Sequence, residues 1–558
     1  MEEKEENNVL LRDYDRGEGH SPAADVFSND YLAPVNGTPR GNAYSKFSTA
    51  RLPERILAFS IRSSKAFGLY LLPSFIYPWE SKTPAKPIHP TAYLDGLRGV
   101  AAATVVVAHY SAQFAPALYE GWGSGGKFNK VENTMILQLP VLRVVVSGHF
   151  MVFLFFIMSG CVLSIKGLKL ARQGKHFELS KTMASSIFRR WVRLFLPVIA
   201  SMVIAMLISR AQLWTRLPKN WRDAPVDITA RATPTATATP TPTSSGKPQP
   251  TGPTRLNWYF YMAPKMSTWT KQLINLTKFA SNVCNPFRFG VIVGDPGPYN
   301  AGAVLWTIPG EFLGSMIVFL VIMGLAWATP RFRFVMILLL SMYCHLAHKW
   351  DIALFLEGML IADLMLIRDA KSARTANLPR SQAGELTPRS TRAKKLITAL
   401  WIFMLFTGVW LGSIPYIYPE TSWGYVWLVK HIPKWYGPRD KFYPALGSTL
   451  VMIALTYYRP VQRFFAWPFM RYLGRISFSL YLLHSQILVS IGIPIMTACM
   501  RFVGGAHTTS GYLMGLTLGS AILWPFTICV ADLFTRAVDE KSVDLARYLA
   551  ERFLVFTD

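Results

Sequence analysis

Arg98 and His109 stand eleven residues apart in the apolar stretch YLDGLRGVAAATVVVAHY, residues 93–110. At about 100° per residue, eleven steps make three turns plus roughly 20°, so both side chains leave one face of a helix, about 16 Å apart along its axis. They therefore address one cavity at two depths. Asp95 precedes Arg98 by three residues on that face, within pairing reach. A histidine so placed is a candidate proton acceptor, and an arginine a candidate partner for phosphate or carboxylate. A plainer use is an interfacial Asp95–Arg98 ion pair with His109 as an interior hydrogen bonder. Ionisable groups inside an apolar segment cost at least about 2.5 kcal/mol on insertion scales, so in either case they face a bundle interior, a partner or water. Glu311 lies in a second apolar segment, and Arg189, Arg190 and Arg193 cluster in FRRWVRLFLP, where a helix is predicted to start. Arginines beside the positive end of a helix dipole suit a ligand with several phosphate charges. Ser477, Tyr481 and His484, spaced by four and three, share a helix face and suit either a binding site or a polar seam between helices.

The segments that carry these groups are membrane-like. The chain of 558 residues is 51% hydrophobic and 16% charged, against about 25% charged in ordinary soluble domains. Apolar tracts near the roughly 18 residues needed to cross about 30 Å of hydrocarbon recur. Ten are read, at 94–114, 144–165, 192–209, 301–327, 333–348, 351–367, 396–418, 444–458, 473–499 and 511–535. The expected fold is thus all-α, a polytopic bundle of about ten transmembrane helices spanning 93–535. Residues 1–65 read as a polar cytosolic arm, 66–92 as an interfacial or re-entrant segment and 536–558 as an amphipathic cytosolic tail.

The formal charge of +26 would suggest nucleic acid in a soluble protein. Here the Lys- and Arg-rich loops follow the second, fourth, sixth and eighth tracts, as the positive-inside rule asks if both termini are cytosolic. The bilayer, and not nucleic acid, is the implied partner. The same count puts residues 210–300 outside, with the Pro/Thr/Ser tract at 232–254 and Asn275, which opens an Asn-Leu-Thr sequon and is a candidate glycosylation site. A second sequon, at Asn36, falls in the arm expected to be cytosolic. The N-terminus has no apolar run of the kind a cleaved signal needs. The five cysteines have neither CxxC nor metal-site spacing, so no disulfide framework and no metal site is expected. No Walker or dinucleotide loop is present to support ATP-driven transport.

Five further segments, taken in order with Arg98-x10-His109, carry a family resemblance. They are FLFFIMSGCVLS at 153–164, FRRWVRLFLP at 188–197, AVLWTIPGEFLGSM at 303–316, FLEGMLIADL at 355–364 and LGRISFSLYLLHSQILV at 473–489. In this order the chain closely resembles the acyltransferase 3 family of membrane acyltransferases over about residues 90–550, and LWTIPGEF is similar to its fungal branch. The resemblance implies transfer of an acyl group, commonly acetyl, from cytosolic acyl-CoA to a hydroxyl on a carbohydrate, lipid or small metabolite, with no bound cofactor. By residue, it makes His109 the catalytic histidine, Arg98 its essential partner and Glu311 the acidic position of the Trp-Thr/Ser-x-x-x-Glu segment. Candidate donor- and substrate-binding residues are Arg189, Arg190, Arg193, Asp95, Trp306, Ser159, Ser477, Tyr481 and His484. His149, and Gly310 before Glu311, depart from the common pattern and bear on the acceptor.

The chemistry asks for the same groups. Acyl transfer from a thioester needs a base for the acceptor hydroxyl and cationic groups for the donor phosphates and the developing oxyanion. Glu311 could orient His109, pair with an arginine or bind the acceptor. A proton-coupled transporter that uses Asp95, His109, Glu311 and Asp363 as relay groups is the alternative function, but it gives the arginine cluster no task. The expected location is the plasma membrane or the endoplasmic reticulum and Golgi.

Overall fold

The computed structural model describes residues 73–74, 89–124, 133–215, 263–285, 304–377, 391–504 and 508–554. The expected arm, the 232–254 tract and nearly all of 66–88 lie outside that set. Among the described residues the fold is helical, with no strand. In chain order the helices are α1 (Ala92–Phe114), α2 (Gly148–Arg172), α3 (His176–Arg210), α4 (Trp269–Val283), α5 (Thr307–Gly324), α6 (Pro330–Leu346), α7 (Trp350–Asn377), α8 (Thr391–Gly412), α9 (Val426–Lys430), α10 (Phe442–Tyr457), α11 (Arg459–Phe465), α12 (Pro468–Ile487), α13 (Ile493–Phe502), α14 (Thr509–Phe534) and α15 (Glu540–Phe553). Each of the ten apolar tracts contains a helix. Six described helical runs are long and apolar enough to cross a membrane: α2, α3, α5, α8, α12 with α13, and α14 with α15.

Several boundaries differ from the expected ones. α3 begins at His176, because HFELSKTMASS continues the helix as a polar overhang beyond the apolar tract. Arg189, Arg190 and Arg193 therefore stand well inside the helix, and the expected coincidence of positive charge with a helix N-terminus does not hold. At the other end of the chain, α14 runs through a π-turn at Thr535–Asp539 directly into α15. The C-terminal residues are thus docked on the bundle, packed against α3.

Two pairs of glycines let helices approach until their backbones touch, the usual device where helices meet without large side chains between them. A Cβ on Gly474 of α12 would lie 2.2 Å from the Asp95 carbonyl of α1, and one on Gly99 would lie 2.4 Å from the Gly474 nitrogen. Likewise, a Cβ on Gly160 of α2 would lie 2.1 Å from the Phe355 carbonyl of α7, and one on Gly358 would lie 2.2 Å from the Ile157 carbonyl. These contacts put α1 beside α12, and α2 beside α7, at the depth where the polar residues sit. At one end, a cap made of residues 116–124, 133–146 and 413–425 closes over the bundle. Buried Arg143 organises it, donating to the Ser413 carbonyl at 2.8 Å and the Leu118 carbonyl at 3.0 Å. Burial pulls its guanidinium down to about 10, so it stays charged at neutral pH.

Candidate active site

A pocket lies between α1, α2, α3, α5, α12 and α15. Arg98, Arg190, Arg193 and Arg475 supply its cations and Glu311, Asp539 and Glu540 its carboxylates. Ser159, Thr307, Ser477 and Tyr481 add hydroxyls, and Phe155, Phe156 and Phe478 are among its apolar walls. The expected Asp95–Arg98 pair is present at 3.7 Å. Arg98 also donates to the Gly474 carbonyl at 2.8 Å, so the same guanidinium lines the pocket and ties α1 to α12.

Of the roles open to Glu311, the structure shows pairing with an arginine. Its carboxylate accepts from Arg190 at 2.8 Å and from the Ser159 hydroxyl at 2.6 Å, and Arg190 Nε donates to Ser315 Oγ at 3.2 Å. Glycine packing sets this triad: Ser159 precedes Gly160 at the α2–α7 crossing, and Gly314, one turn after Glu311, has Phe355 of α7 where its Cβ would be. Arg193 faces the same pocket, but Arg189 does not. It lines a separate groove, reached from the preceding turns of α3, with Lys166, Lys181 and Glu178. The expected arginine cluster is thus divided between two pockets.

On α12, Ser477 and Tyr481 line the pocket, while His484 lies beyond them. Tyr481 donates to the Val304 carbonyl at 2.8 Å and bonds the Thr307 hydroxyl at 2.8 Å. His109 and His484 meet behind that tyrosine, Nδ1 of His109 at 2.6 Å from Nε2 of His484. Their rings are tilted by only 18° with centroids 4.9 Å apart. Beyond the nitrogen–nitrogen gap, that separation leaves what two ring radii supply, so the rings meet edge to edge in one plane. His109 is therefore not among the residues lining the pocket that Arg98 helps to form, which corrects the expectation of one shared cavity.

Trp306 packs half-buried on the core just before α5, and its neighbour Thr307 is the residue that reaches the pocket. Asn275 lies half-buried in helix α4 and not in a loop. Asp363 of the transporter alternative forms an ion pair with Arg172 at 2.8 Å, away from these groups. His345 bonds Glu357 at 2.7 Å. The five cysteines are free, and among the described residues no group of three or more His, Cys, Asp or Glu could hold a metal.

Arg475, Asp539 and Glu540 were not singled out from the sequence. Arg475 reads there as one more basic residue of a loop. The apolar face of α15 is visible in SVDLARYLAERF, but its docking partner α3 is not.

A family model of the acyltransferase domain matches residues 91–536, from the start of α1 to the end of α14 and the beginning of the turn that follows it. The chain belongs to the acyltransferase 3 family. It is 29% identical to the O-acetyltransferase PaAT-1 of Phomopsis amygdali over 507 residues, covering 88% of this chain and 90% of that protein. It is 22% identical to the acyltransferase R4 of a Phoma species, covering 82% of this chain and 95% of the relative. The acyltransferase clz18 of Cochliobolus lunatus is also 22% identical, with 82% and 96% covered. No solved structure matches the chain. Acyl transfer is accordingly the activity that these residues have to explain.

Proposed function

We propose that the protein is a membrane-embedded O-acyltransferase that moves an acyl group, in the first instance acetyl, from acyl-CoA to a hydroxyl of a carbohydrate, lipid or small metabolite. The acetyl group and the hydroxyl acceptor are suggested by the relative named an O-acetyltransferase. The observation that carries the reading is the pocket, in which arginines from three helices converge above a row of hydroxyls, with His109 and His484 just behind Tyr481. Arg190 is held in the buried pair with Glu311, and the pocket's other arginines, Arg98, Arg193 and Arg475, are the groups assigned to the donor phosphates, which guanidinium forks suit. Glu540 holds Arg475 at 2.8 Å and would yield it to a phosphate.

His109 acts as the general base. It takes the proton of the acceptor hydroxyl as that oxygen attacks the thioester carbonyl carbon. The carbon–sulfur bond then breaks, and the departing thiolate recovers the proton from the imidazolium. The membrane is the plasma membrane or that of the endoplasmic reticulum and Golgi, with the donor mouth on the cytosolic side.

The test is His109→Ala on purified protein with acetyl-CoA. The variant should remain folded and bind a CoA analogue while kcat falls about 10² to 10⁴-fold, the usual worth of a positioned base. Acyl transfer near the wild-type rate would remove His109 from the mechanism. Arg98→Lys should also be impaired, because an ammonium cannot hold the Gly474 carbonyl and a phosphate in one plane.

A further inference from the structure

We propose that His484 is the positioning residue that fixes the tautomer of His109, leaving its Nε2 without a proton and so competent as a base. The inference rests on the reading of His109 as the general base. It starts from the far side of His484, whose side chain is fully buried. Its Nδ1 lies 2.8 Å from the Tyr481 carbonyl and 3.2 Å from the Leu480 carbonyl, one turn back on its own helix. Carbonyl oxygens only accept, so Nδ1 of His484 must carry a hydrogen. A neutral imidazole has one N–H, which makes Nε2 of His484 an acceptor. The atom facing it at 2.6 Å is Nδ1 of His109, which must then donate. The near-coplanar, edge-to-edge rings aim that N–H along the lone pair. With its one hydrogen on Nδ1, neutral His109 has an unprotonated Nε2.

In this arrangement a backbone carbonyl orders one ring and that ring orders the next, much as a partner on one imidazole nitrogen decides the state of the other. Glu311 Oε1 is engaged elsewhere, accepting from Arg190 and Ser159. When His109 takes a proton at Nε2, its Nδ1 hydrogen still points at a neutral acceptor. The single positive charge is then shared across the short bond by two rings, and the Tyr481 and Leu480 carbonyls face its far end.

The experiment uses full-length protein labelled with ¹⁵N in its histidine rings, with the His109 signals identified by their loss in His109→Ala. Wild type should show a protonated Nδ1 and an unprotonated Nε2 at His109. His484→Ala should disturb that pattern and lower kcat about 10 to 100-fold, the usual effect of removing an orienting partner, with the acetyl-CoA KM little changed. His484→Gln, whose amide oxygen can accept from Nδ1–H, should restore most of the rate. In a His109→Ala background, His484→Ala should cost nothing further, since there is no ring left to orient. If His484→Ala does not fold, the wild-type spectrum and the Gln variant still decide. An unprotonated Nδ1 at His109, full kcat without an acceptor at position 484, or losses that multiply in the double variant would each overturn the inference. An active His109→Ala enzyme is a different result: it removes the base assignment itself, whatever the tautomer.

Discussion

At the scale of single residues, the pocket depends on a charge that cannot be left alone. Arg190 is 5% exposed and Glu311 17%, and their 2.8 Å contact is supported by two hydroxyls, Ser159 and Ser315. Removing one partner of a buried pair leaves an uncompensated charge, at a cost of about 3–5 kcal/mol. Glu311→Gln, which keeps shape and loses charge, should therefore lower the apparent melting temperature of purified protein sharply. Arg190→Met should do the same, but the double variant should lose far less than the sum. Additive losses would mean that the two side chains do not act as a unit. The arginines allow a second comparison: Arg193→Ala should raise the acetyl-CoA KM more than Arg189→Ala, because only Arg193 faces the pocket. Equal effects would move the donor phosphates to the shallow groove beside Arg189. The Asp95–Arg98 pair was legible in the sequence, since both residues lie on one helix and periodicity fixes their faces. The His109–His484 contact was not, because 375 residues separate the two rings and no spacing rule reaches between helices.

At the scale of elements, the site is positioned by backbone contact. α1 and α12 touch at Gly99 and Gly474, and that crossing sets both the Arg98 bond to the Gly474 carbonyl and the register of His109 against His484. Gly474→Ala forces the helices apart, since its Cβ would fall 2.2 Å from the Asp95 carbonyl oxygen. Activity should fall at least as far as in His484→Ala, together with a loss of thermal stability. Gly324→Ala is the control, as a Cβ there meets nothing within 4 Å. If both variants behave alike, the close crossing does not position the site. Apolar tracts revealed the helices, because a period and a length are written in consecutive residues. They did not reveal how far α3 extends beyond its tract, since the overhang is polar, nor that α15, continuing from α14, completes the pocket.

At the scale of the molecule, the pocket, the two histidines and the cap lie in sequence along the bundle. Arg98, Arg475 and α15 mark one end, and Arg143, Ser413 and Tyr425 mark the other. The first end also carries the basic stretches in the last turns of α2 and α7, the first turn of α6, and α11. If that end faces the cytosol, as the positive-inside rule requires, a cytosolic donor meets the arginines directly and the cap faces outward. Ten crossings with both termini cytosolic satisfy this arrangement, and they place residues 232–254 on the far side. An epitope inserted in that tract should then be protected from protease in sealed vesicles and cut only after detergent is added, while an epitope at the C-terminus should be cut at once. Cleavage of the inserted epitope in intact vesicles would reverse the bundle. The arginine mouth would then open on a side without acyl-CoA, and the donor assignment would fall with the topology.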